Sequence, residues 1–287
     1  MNSQKIALLT DSCADIPPAL LREKGIYSLP LKIIYPDHEY SDGVDITPRE
    51  IYEKMPGQLP TTSLPDGDTV LRTFSQIRRD GYDKVLALCF SSGLSGTYNI
   101  VRLAGHADNG LDVAIYDTLS GSMPEGMMVL QAARWIEEGK SWEELQRLVP
   151  PLIANTCGIF TLDTLEYLKK GGRIGLVTAV AGGMLQIKPI ITFSEDGRLI
   201  SSGKVRGRAA SIQEVANRIR AHVPASGAYN VLTVHSEAPE DLAVLESLLS
   251  DVIAGARFHQ RGEIDCTLAV HVGPGLVGGG ISCIPEE

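Results

Sequence analysis

The chain has 287 residues and a mass of 30.9 kDa, of which 44% are hydrophobic and 21% charged. This composition excludes a largely disordered chain and is typical of about two globular domains. The formal net charge of −9 argues against nucleic-acid binding, because an acidic protein repels a phosphate backbone.

The N-terminus runs directly into a strand-like segment, Ile6–Leu9, without the basic region, long apolar core and cleavage site of a secretory leader. The longest uncharged stretch, 174–187, is too short to cross a bilayer and contains two adjacent glycines. The five cysteines are scattered and form no C-x-x-C pair, which argues against a zinc site and a disulfide framework. We therefore expect a cytoplasmic protein with no stable membrane insertion and no metal.

The first half of the chain alternates short apolar runs with helical patterns. Strands are predicted at Ile6–Thr10, Ile26–Tyr35, Lys84–Phe90 and Asp112–Tyr116. Helices are predicted to begin at Pro17, at the capping box Thr47–Glu50, at Ser95 and at Ser122. This alternation predicts a parallel sheet with helices on both faces.

The second half has a different pattern. The segments Ile187–Phe193 and Leu199–Val205 flank an Asp-Gly turn and predict a β-hairpin. Further strands are predicted at Tyr229–His235, Arg257–Ile264 and Thr267–His271, and helices at Arg208–Val223 and Pro239–Ile253. We place a domain boundary after Pro150-Pro151, which gives domains 1–153 and 154–287.

Three polar turns follow predicted strands, at residues 10–12, 91–97 and 117–120. The segment Ser91–Thr97 is the richest, with serines, glycines and a threonine where a strand turns into a helix. Such a turn either binds an anion through helix N–H groups and hydroxyls or only caps the helix. It matches neither a phosphate-binding loop nor a dinucleotide fingerprint, so no nucleotide is predicted.

Other polar segments also allow two interpretations each. The cluster Pro60–Pro65 is a turn or a binding site, and Lys169–Gly175, with Arg173, is a helix C-cap or a cation for an anionic ligand. The run Lys204–Arg208 is a solvated face unless it meets a partner. His271, placed at a predicted strand end before a glycine-rich turn, either packs in the core or orients a hydroxyl or carries a proton.

The order of these pieces resembles the DegV family, bacterial fatty-acid-binding proteins also called FakB. The similarity runs from Lys5 to the end of the chain. It rests on Thr10-Asp11-Ser12, Asp42-Gly43-Val44-Asp45, Thr62-Ser63-Leu64-Pro65, Ser91–Tyr98, Leu165–Ile174, Ile187-Lys188-Pro189 and His271-Val272-Gly273-Pro274-Gly275.

The resemblance implies an α/β fold of two domains, an N-terminal three-layer α/β/α sandwich with a parallel sheet and a C-terminal two-layer α/β unit with a mixed sheet. A long-chain fatty acid would lie at the junction, with its carboxylate bound by Thr62 and by Ser95, for which Ser92 is the rival. His271 matches the family histidine. Arg173 and Arg206 match arginines near the carboxylate exit or the partner surface. Leu64 and Val272 depart from the usual pattern; neither removes a proposed ligand, and both would change the polarity around the head group.

The family's role implies a lipid-binding subunit that is not itself an enzyme and needs no cofactor. It would present the carboxylate of an acid such as palmitate to a separate ATP-dependent fatty acid kinase (FakA-like), which feeds phospholipid synthesis. We expect a monomer. The alternative is the substrate-binding subunit of a small-molecule kinase resembling dihydroxyacetone-kinase-like proteins, in which His271 would act on a carbonyl. A DNA-binding regulator is disfavoured by the net charge.

Overall fold

The computed structural model of the chain describes residues 2–55, 57–107, 110–180 and 186–285. In chain order its strands are β1 (Ile6–Asp11), β2 (Ile26–Leu29), β3 (Lys32–Ile34), β4 (Glu39–Ser41), β5 (Thr61–Ser63), β6 (Lys84–Cys89), β7 (Asp112–Asp117), β8 (Thr156–Thr161), β9 (Ile187–Phe193), β10 (Leu199–Arg206), β11 (Tyr229–His235), β12 (Phe258–Glu263) and β13 (Val277–Cys283).

The α-helices are α1 (Pro18–Lys24), α2 (Pro48–Lys54), α3 (Gly67–Arg79), α4 (Thr97–Gly105), α5 (Met123–Glu137), α6 (Trp142–Ala154), α7 (Glu166–Lys170), α8 (Arg208–Ala221), α9 (Pro239–Leu248), α10 (Ser250–Gly255) and α11 (Cys266–Val272). Two short 3₁₀ segments cover Ser12–Ala14 and Gly175–Val180.

The N-terminal part is built on a four-stranded parallel sheet in the order β2-β1-β6-β7. Successive side chains of a strand point to opposite faces of the sheet, and in β1 the side chains on both faces are apolar. Ala7 and Leu9 pack with α3 and α4 on one face, and Ile6 and Leu8 pack with α5 and α6 on the other. The predicted parallel sheet between two helical layers is confirmed.

The C-terminal part contains a six-stranded mixed sheet in the order β10-β9-β8-β13-β11-β12. Strands β11 and β12 are parallel, and the other neighbours are antiparallel. The predicted hairpin is present as β9 and β10. Helices α8 and α9 bury their apolar residues against one face, while α5 of the N-terminal part contacts β8, β11 and β13.

A third sheet was not predicted. Strands β3, β4 and β5 form an antiparallel sheet in the order β4-β3-β5, called the small sheet below. The apolar run 26–35, predicted as a single strand, is divided between β2 and β3 because Pro30 has no N–H to continue the first ladder. The small sheet brings Thr62, on β5, opposite Ile33 of β3.

The prediction of a strand at Thr267–His271 was wrong, because these residues belong to helix α11. Threonine and valine favour strands, but two carboxylates cap the first turn. Asp265 Oδ1 accepts a hydrogen bond from Leu268 N at 2.8 Å, and Asp42 accepts hydrogen bonds from the N–H groups of Cys266 and Thr267. His271 is therefore in the last turn of a helix and not at a strand end.

One other element differs from its prediction. The helix predicted over 239–253 is broken near Leu249 into α9 and α10. Pro150 and Pro151 lie inside α6, which ends at Ala154, and the next element, β8, belongs to the mixed sheet. Residues 181–185 of the uncharged stretch lie outside the described residues. In the rest, no helix has the length and apolarity to span a membrane.

Candidate functional site

A cavity of about 200 Å³ lies between the parallel sheet, the small sheet and the mixed sheet. Most of its wall is apolar and comes from both halves of the chain. The apolar wall includes Phe90, Pro124, Phe160, Phe193, Leu232 and Leu276. Polar side chains in the wall include Thr62, Ser95, Arg173 and His271, four of the six residues singled out from the sequence. The cavity can therefore enclose an apolar chain that carries a polar or charged group.

Thr62 and His271 are in direct contact within this wall. Thr62 Oγ1 and His271 Nε2 are 2.8 Å apart, although 209 residues separate them along the chain. His271 is buried. Burial, and to a smaller extent the charge of Arg173, lowers the pKa of His271 from 6.5 to about 4. The imidazole is therefore neutral at physiological pH and carries a single N–H.

The position of that proton determines what Thr62 can do. His271 Nδ1 is buried and has no hydrogen-bond partner among the described residues. It lies so close to Gly171 that a Cβ there would collide with it. A proton on Nδ1 would leave a buried donor unpaired, which is costly. We therefore assign the proton to Nε2, which donates to Thr62 Oγ1 and leaves the threonine hydroxyl free to donate to a ligand.

Ser95 contacts the start of α4 and also lies in the cavity wall. Its Oγ lies 2.9 Å from Thr97 Oγ1 and accepts a hydrogen bond from Thr97 N at 3.3 Å, so it supports the first turn of α4. It also lines the cavity. When Thr97 supplies both donors, the Ser95 hydroxyl proton points elsewhere and is available to a ligand. The N-terminus of α4 favours an anion at the same place.

Ser92 has a different environment. It is exposed, and its backbone N–H donates to the carboxylate of Asp117 at 3.2 and 3.3 Å. Ser92 is not among the described residues that line the cavity. Of the two rival serines, only Ser95 is on the cavity wall.

The loop Ser91–Thr97, called the serine loop below, is fixed by contacts of its first residue, and of the residue before it, with three other segments of the chain. Asp11 Oδ2 accepts a hydrogen bond from Phe90 N at 2.8 Å, and Ser91 N donates to Ser120 O at 2.9 Å. Ser91 Oγ donates to Gly197 O at 2.8 Å, which joins the loop to the tip of the β9–β10 hairpin. The position of the loop is therefore fixed by contacts with the rest of the chain.

Arg173 and Arg206 occupy different places. The Arg173 guanidinium donates to Gly171 O at 2.9 Å and to Leu94 O at 3.4 Å. It lines the cavity and makes no ion pair within the part of the chain that the structure describes, so its charge is available to an anion. Arg206 ends β10, is exposed and lies outside the cavity wall.

Arg206 is also distinct from the basic residue that follows it. Arg208 forms an ion pair with Asp241, at 2.7 Å. Arg206 has neither a hydrogen bond nor an ion pair from its side chain among residues 2–55, 57–107, 110–180 and 186–285. The basic run 204–208 thus contains one arginine used within the fold and one that is unpaired at the surface.

A cluster of buried carboxyl groups was missed by sequence reasoning. It lies between the two halves and contains the buried Asp11, Asp15, Asp42 and Glu125, together with the half-buried Asp265. Burial raises the pKa of Asp11 to about 7, and burial together with the Asp11 charge raises the pKa of Glu125 well above its usual value. A signal was present, because two of these aspartates belong to the motifs at 10–12 and 42–45, but no role was inferred for them.

The cluster is not arranged as a metal site. Among the described residues, no group of three or more His, Cys, Asp or Glu side chains has the arrangement of metal ligands. Asp265 N donates to Asp15 Oδ1 at 2.7 Å, and Ser122 Oγ also donates to Asp15. The carboxyl groups are therefore bound to backbone and hydroxyl donors that join the two halves.

The chain is similar to known proteins over nearly its whole length. The model of the DegV family, described as a family of uncharacterised proteins, matches residues 5–285. A DegV domain-containing protein of Clostridium perfringens is 37% identical over 276 residues, which cover 96% of this chain and 97% of the relative.

Two solved structures are also similar. One is described as showing the fatty acid binding of a DegV family protein from Thermus thermophilus. It has a TM-score of 0.90 at 32% identity and covers 99% of this chain and 100% of its own. The other is a stearic acid-binding protein from Eubacterium ventriosum, with a TM-score of 0.86 at 27% identity and coverage of 97% and 98%.

Proposed function

The chain belongs to the DegV family, and from that premise we propose that its cavity binds a long-chain fatty acid. The observation that carries the proposal is the combination of an apolar wall with the hydroxyl, imidazole and guanidinium groups of Thr62, His271 and Arg173. Burial of an acyl chain contributes about 0.8 kcal/mol for each CH₂ group. The two DegV-like structures described above are those of proteins named for fatty acid binding.

A buried carboxylate needs donors, because an uncompensated charge in an apolar site is very costly. Thr62 and Ser95 each have a hydroxyl proton that the contacts above leave available. Arg173 adds a positive charge at the same wall. These groups support a carboxylate-binding role for Thr62 and Ser95, oriented in the first case by His271.

The test of this function is direct. The protein is denatured, extracted with organic solvent and analysed by mass spectrometry, and delipidated protein is titrated with acids of about 14 to 18 carbons. We expect co-purifying fatty acid and saturable binding. A lipid-free extract together with no saturable binding would overturn the proposal, and saturable binding of dihydroxyacetone instead would favour the small-molecule kinase subunit.

The choice between the two serines gives a separate prediction. Ser95→Ala should lower the affinity for palmitate about tenfold, because a hydrogen bond to a charged group is lost. Ser92→Ala is the matched control in the same loop and should bind palmitate as the wild type does. Both affinities are measured by titration of delipidated protein. Normal binding by Ser95→Ala and weak binding by Ser92→Ala would reverse the assignment.

We further propose that the bound acid is presented to a separate ATP-dependent fatty acid kinase. In that reaction the γ-phosphoryl group of ATP passes to a carboxylate oxygen, giving an acyl phosphate and ADP. The unpaired surface charge of Arg206 supports a contact with an anionic group of the partner or of the reaction. The protein's own part would be to bind and present the lipid.

Arg206→Ala should therefore separate binding from transfer. We expect near-normal affinity for palmitate but at least a tenfold lower rate of acyl-phosphate formation with a cognate kinase. Arg49→Ala removes the same charge from an exposed position on α2 and serves as the control. His271→Ala removes the contact with Thr62, so it should weaken palmitate binding about tenfold and lower turnover by more than that. Equal losses of binding and turnover would assign Arg206 to lipid retention, and an unchanged rate would leave it as a solvated residue.

A further inference from the structure

Helix α11 is anchored at its first turn by one carboxylate that comes from a distant part of the chain. Asp42 Oδ1 accepts a hydrogen bond from Cys266 N at 3.0 Å. Asp42 Oδ2 accepts from Thr267 N at 3.0 Å and from Thr267 Oγ1 at 2.6 Å. Ser12 Oγ adds a fourth donor at 3.1 Å. Asp42 is 2% exposed, so these bonds lie out of water.

The same aspartate is attached to the small sheet. It directly follows β4, and its N–H donates to Leu31 O at 2.9 Å, next to β3. In the register of the small sheet, Ser41 and Ser63 both lie opposite Lys32 of the central strand. Asp42 and Thr62 are therefore each one residue from a position that pairs with Lys32, and the small sheet connects them.

Helix α11 and the small sheet, which Asp42 joins, each contribute a side chain to the cavity wall. Helix α11 carries His271 in its last turn, and the small sheet carries Thr62 on β5. We infer that Asp42 is a positioning residue that fixes the contact between Thr62 and His271, by holding the helix that bears one to the sheet that bears the other. The inference rests on the proposed function for its effect on lipid affinity, although the contact itself is independent of any ligand.

The chemistry of the anchor explains why a carboxylate is needed. The four donors that face Asp42 require an acceptor on both side-chain oxygens, which a carboxylate provides. Three carboxyl groups lie nearby, Asp11, Asp15 and Asp265, and burial, with a further contribution from the Asp42 charge, raises their pKa values. Asparagine would turn an NH₂ group towards one of the N–H groups of α11.

The test uses Asp42→Asn, with Asp45→Asn as the matched control. Asp45 is three residues away in the same turn and accepts from Ser41 N at 2.6 Å, and it is exposed. Its side chain makes no hydrogen bond to α11 within the part of the chain that is described. Titration of the His271 ring is followed by NMR in ligand-free protein. We expect its pKa to rise from about 4 towards 6.5 in Asp42→Asn and to stay unchanged in Asp45→Asn.

The affinity for palmitate, measured in single and double variants, provides a second readout. A general loss of structure in Asp42→Asn would add to the effect of Thr62→Val, whereas loss of the shared contact would not. Asp42→Asn should weaken palmitate binding about tenfold, and it should add almost nothing to Thr62→Val in the double variant, because both changes remove the same contact. Additive losses, or an unchanged His271 titration in folded Asp42→Asn, would overturn the inference.

If Asp42→Asn does not fold, Thr267→Val removes one donor to Asp42 and keeps the shape of the side chain. The His271 ring should then titrate at a higher pH than in the wild type, and an unchanged titration would refute the role of Asp42. Because the NMR measurement needs no lipid, a shifted titration in a protein that binds no fatty acid would refute the proposed function and not the positioning role.

Discussion

Thr62→Val is expected to lower the affinity for long-chain fatty acids about ten- to a hundredfold. Valine has nearly the shape of threonine and suits a strand, so the change removes the hydroxyl and little else. The lost hydrogen bond to a charged carboxylate corresponds to roughly 1.5–3 kcal/mol. The affinity is measured by calorimetric titration of delipidated protein with palmitate, and the free energy of unfolding is measured in parallel.

The control for this change is Thr61→Val, at the preceding position of β5. Thr61 is exposed, whereas Thr62 is partly buried and lines the cavity. Thr61→Val should bind palmitate with wild-type affinity. Equal affinities for Thr62→Val and the wild type would show that the carboxylate lies elsewhere in the cavity or projects from it.

Glu125→Gln is expected to change how the stability of the protein depends on pH. The Glu125 carboxyl group is fully buried. Its Oε1 accepts a hydrogen bond from Thr10 Oγ1 at 3.2 Å, and its Oε2 has no partner among the described residues. Burial raises its pKa well above the usual value, so the folded protein keeps a proton that the unfolded chain releases.

The sign of the effect follows from this difference. The pKa of Glu125 is near 4.5 in the unfolded chain and higher in the folded protein. The contribution of this group to the unfolding free energy is fully present below pH 4.5 and is lost as the pH rises towards the raised pKa. The wild type therefore loses about 1.4 kcal/mol of unfolding free energy for each pH unit in that range because of this group. Glutamine takes up no proton, so its own contribution does not change with pH. The unfolding free energy of Glu125→Gln therefore rises relative to that of the wild type by the same amount for each pH unit.

Denaturant unfolding at intervals from pH 4.5 to 8 measures this slope. The control is Glu137→Gln, which removes an exposed carboxylate from the same helix and should keep the pH profile of the wild type. Parallel profiles for the wild type and Glu125→Gln would mean that Glu125 is ionised in the folded protein.

The parts of the fold that depend on local pattern could be predicted. The runs at residues 6–11 and 84–89 are apolar on both faces because helices cover both faces of a parallel sheet. The hairpin of β9 and β10 has its Asp-Gly turn in the sequence. These features are set by neighbours close along the chain.

Helix α11 shows why other parts could not be predicted. Its first turn is capped by Asp42, 224 residues away from Cys266, and no local window of sequence contains that contact. The same is true of Thr62 and His271, which the family resemblance names but only the folded chain brings to 2.8 Å. The raised pKa of Glu125 also depends on burial by distant segments.

The resemblance assigned the carboxylate to Ser95 but kept Ser92 as a rival, because the motif has both serines. The environments differ only in three dimensions, where Ser95 lines the cavity and Ser92 faces Asp117. The apolar wall was not identified at all. Its residues come from strands and helices scattered over both halves, and each of them is an ordinary core residue in the sequence.

The tip of the β9–β10 hairpin contacts the serine loop, Ser91–Thr97, and so joins the two halves of the chain. Ser91 is joined to Gly197, and Gly93 packs so closely on the backbone of Asp196 that a Cβ would not fit. A fatty acid in the cavity, whose wall comes from both halves, would touch both and would have to be released before they separate. At a free lipid concentration of a hundred times Kd, it would add about 2.7 kcal/mol to the stability. Proteolysis of the empty form would then tie the abundance of the protein to the supply of fatty acid.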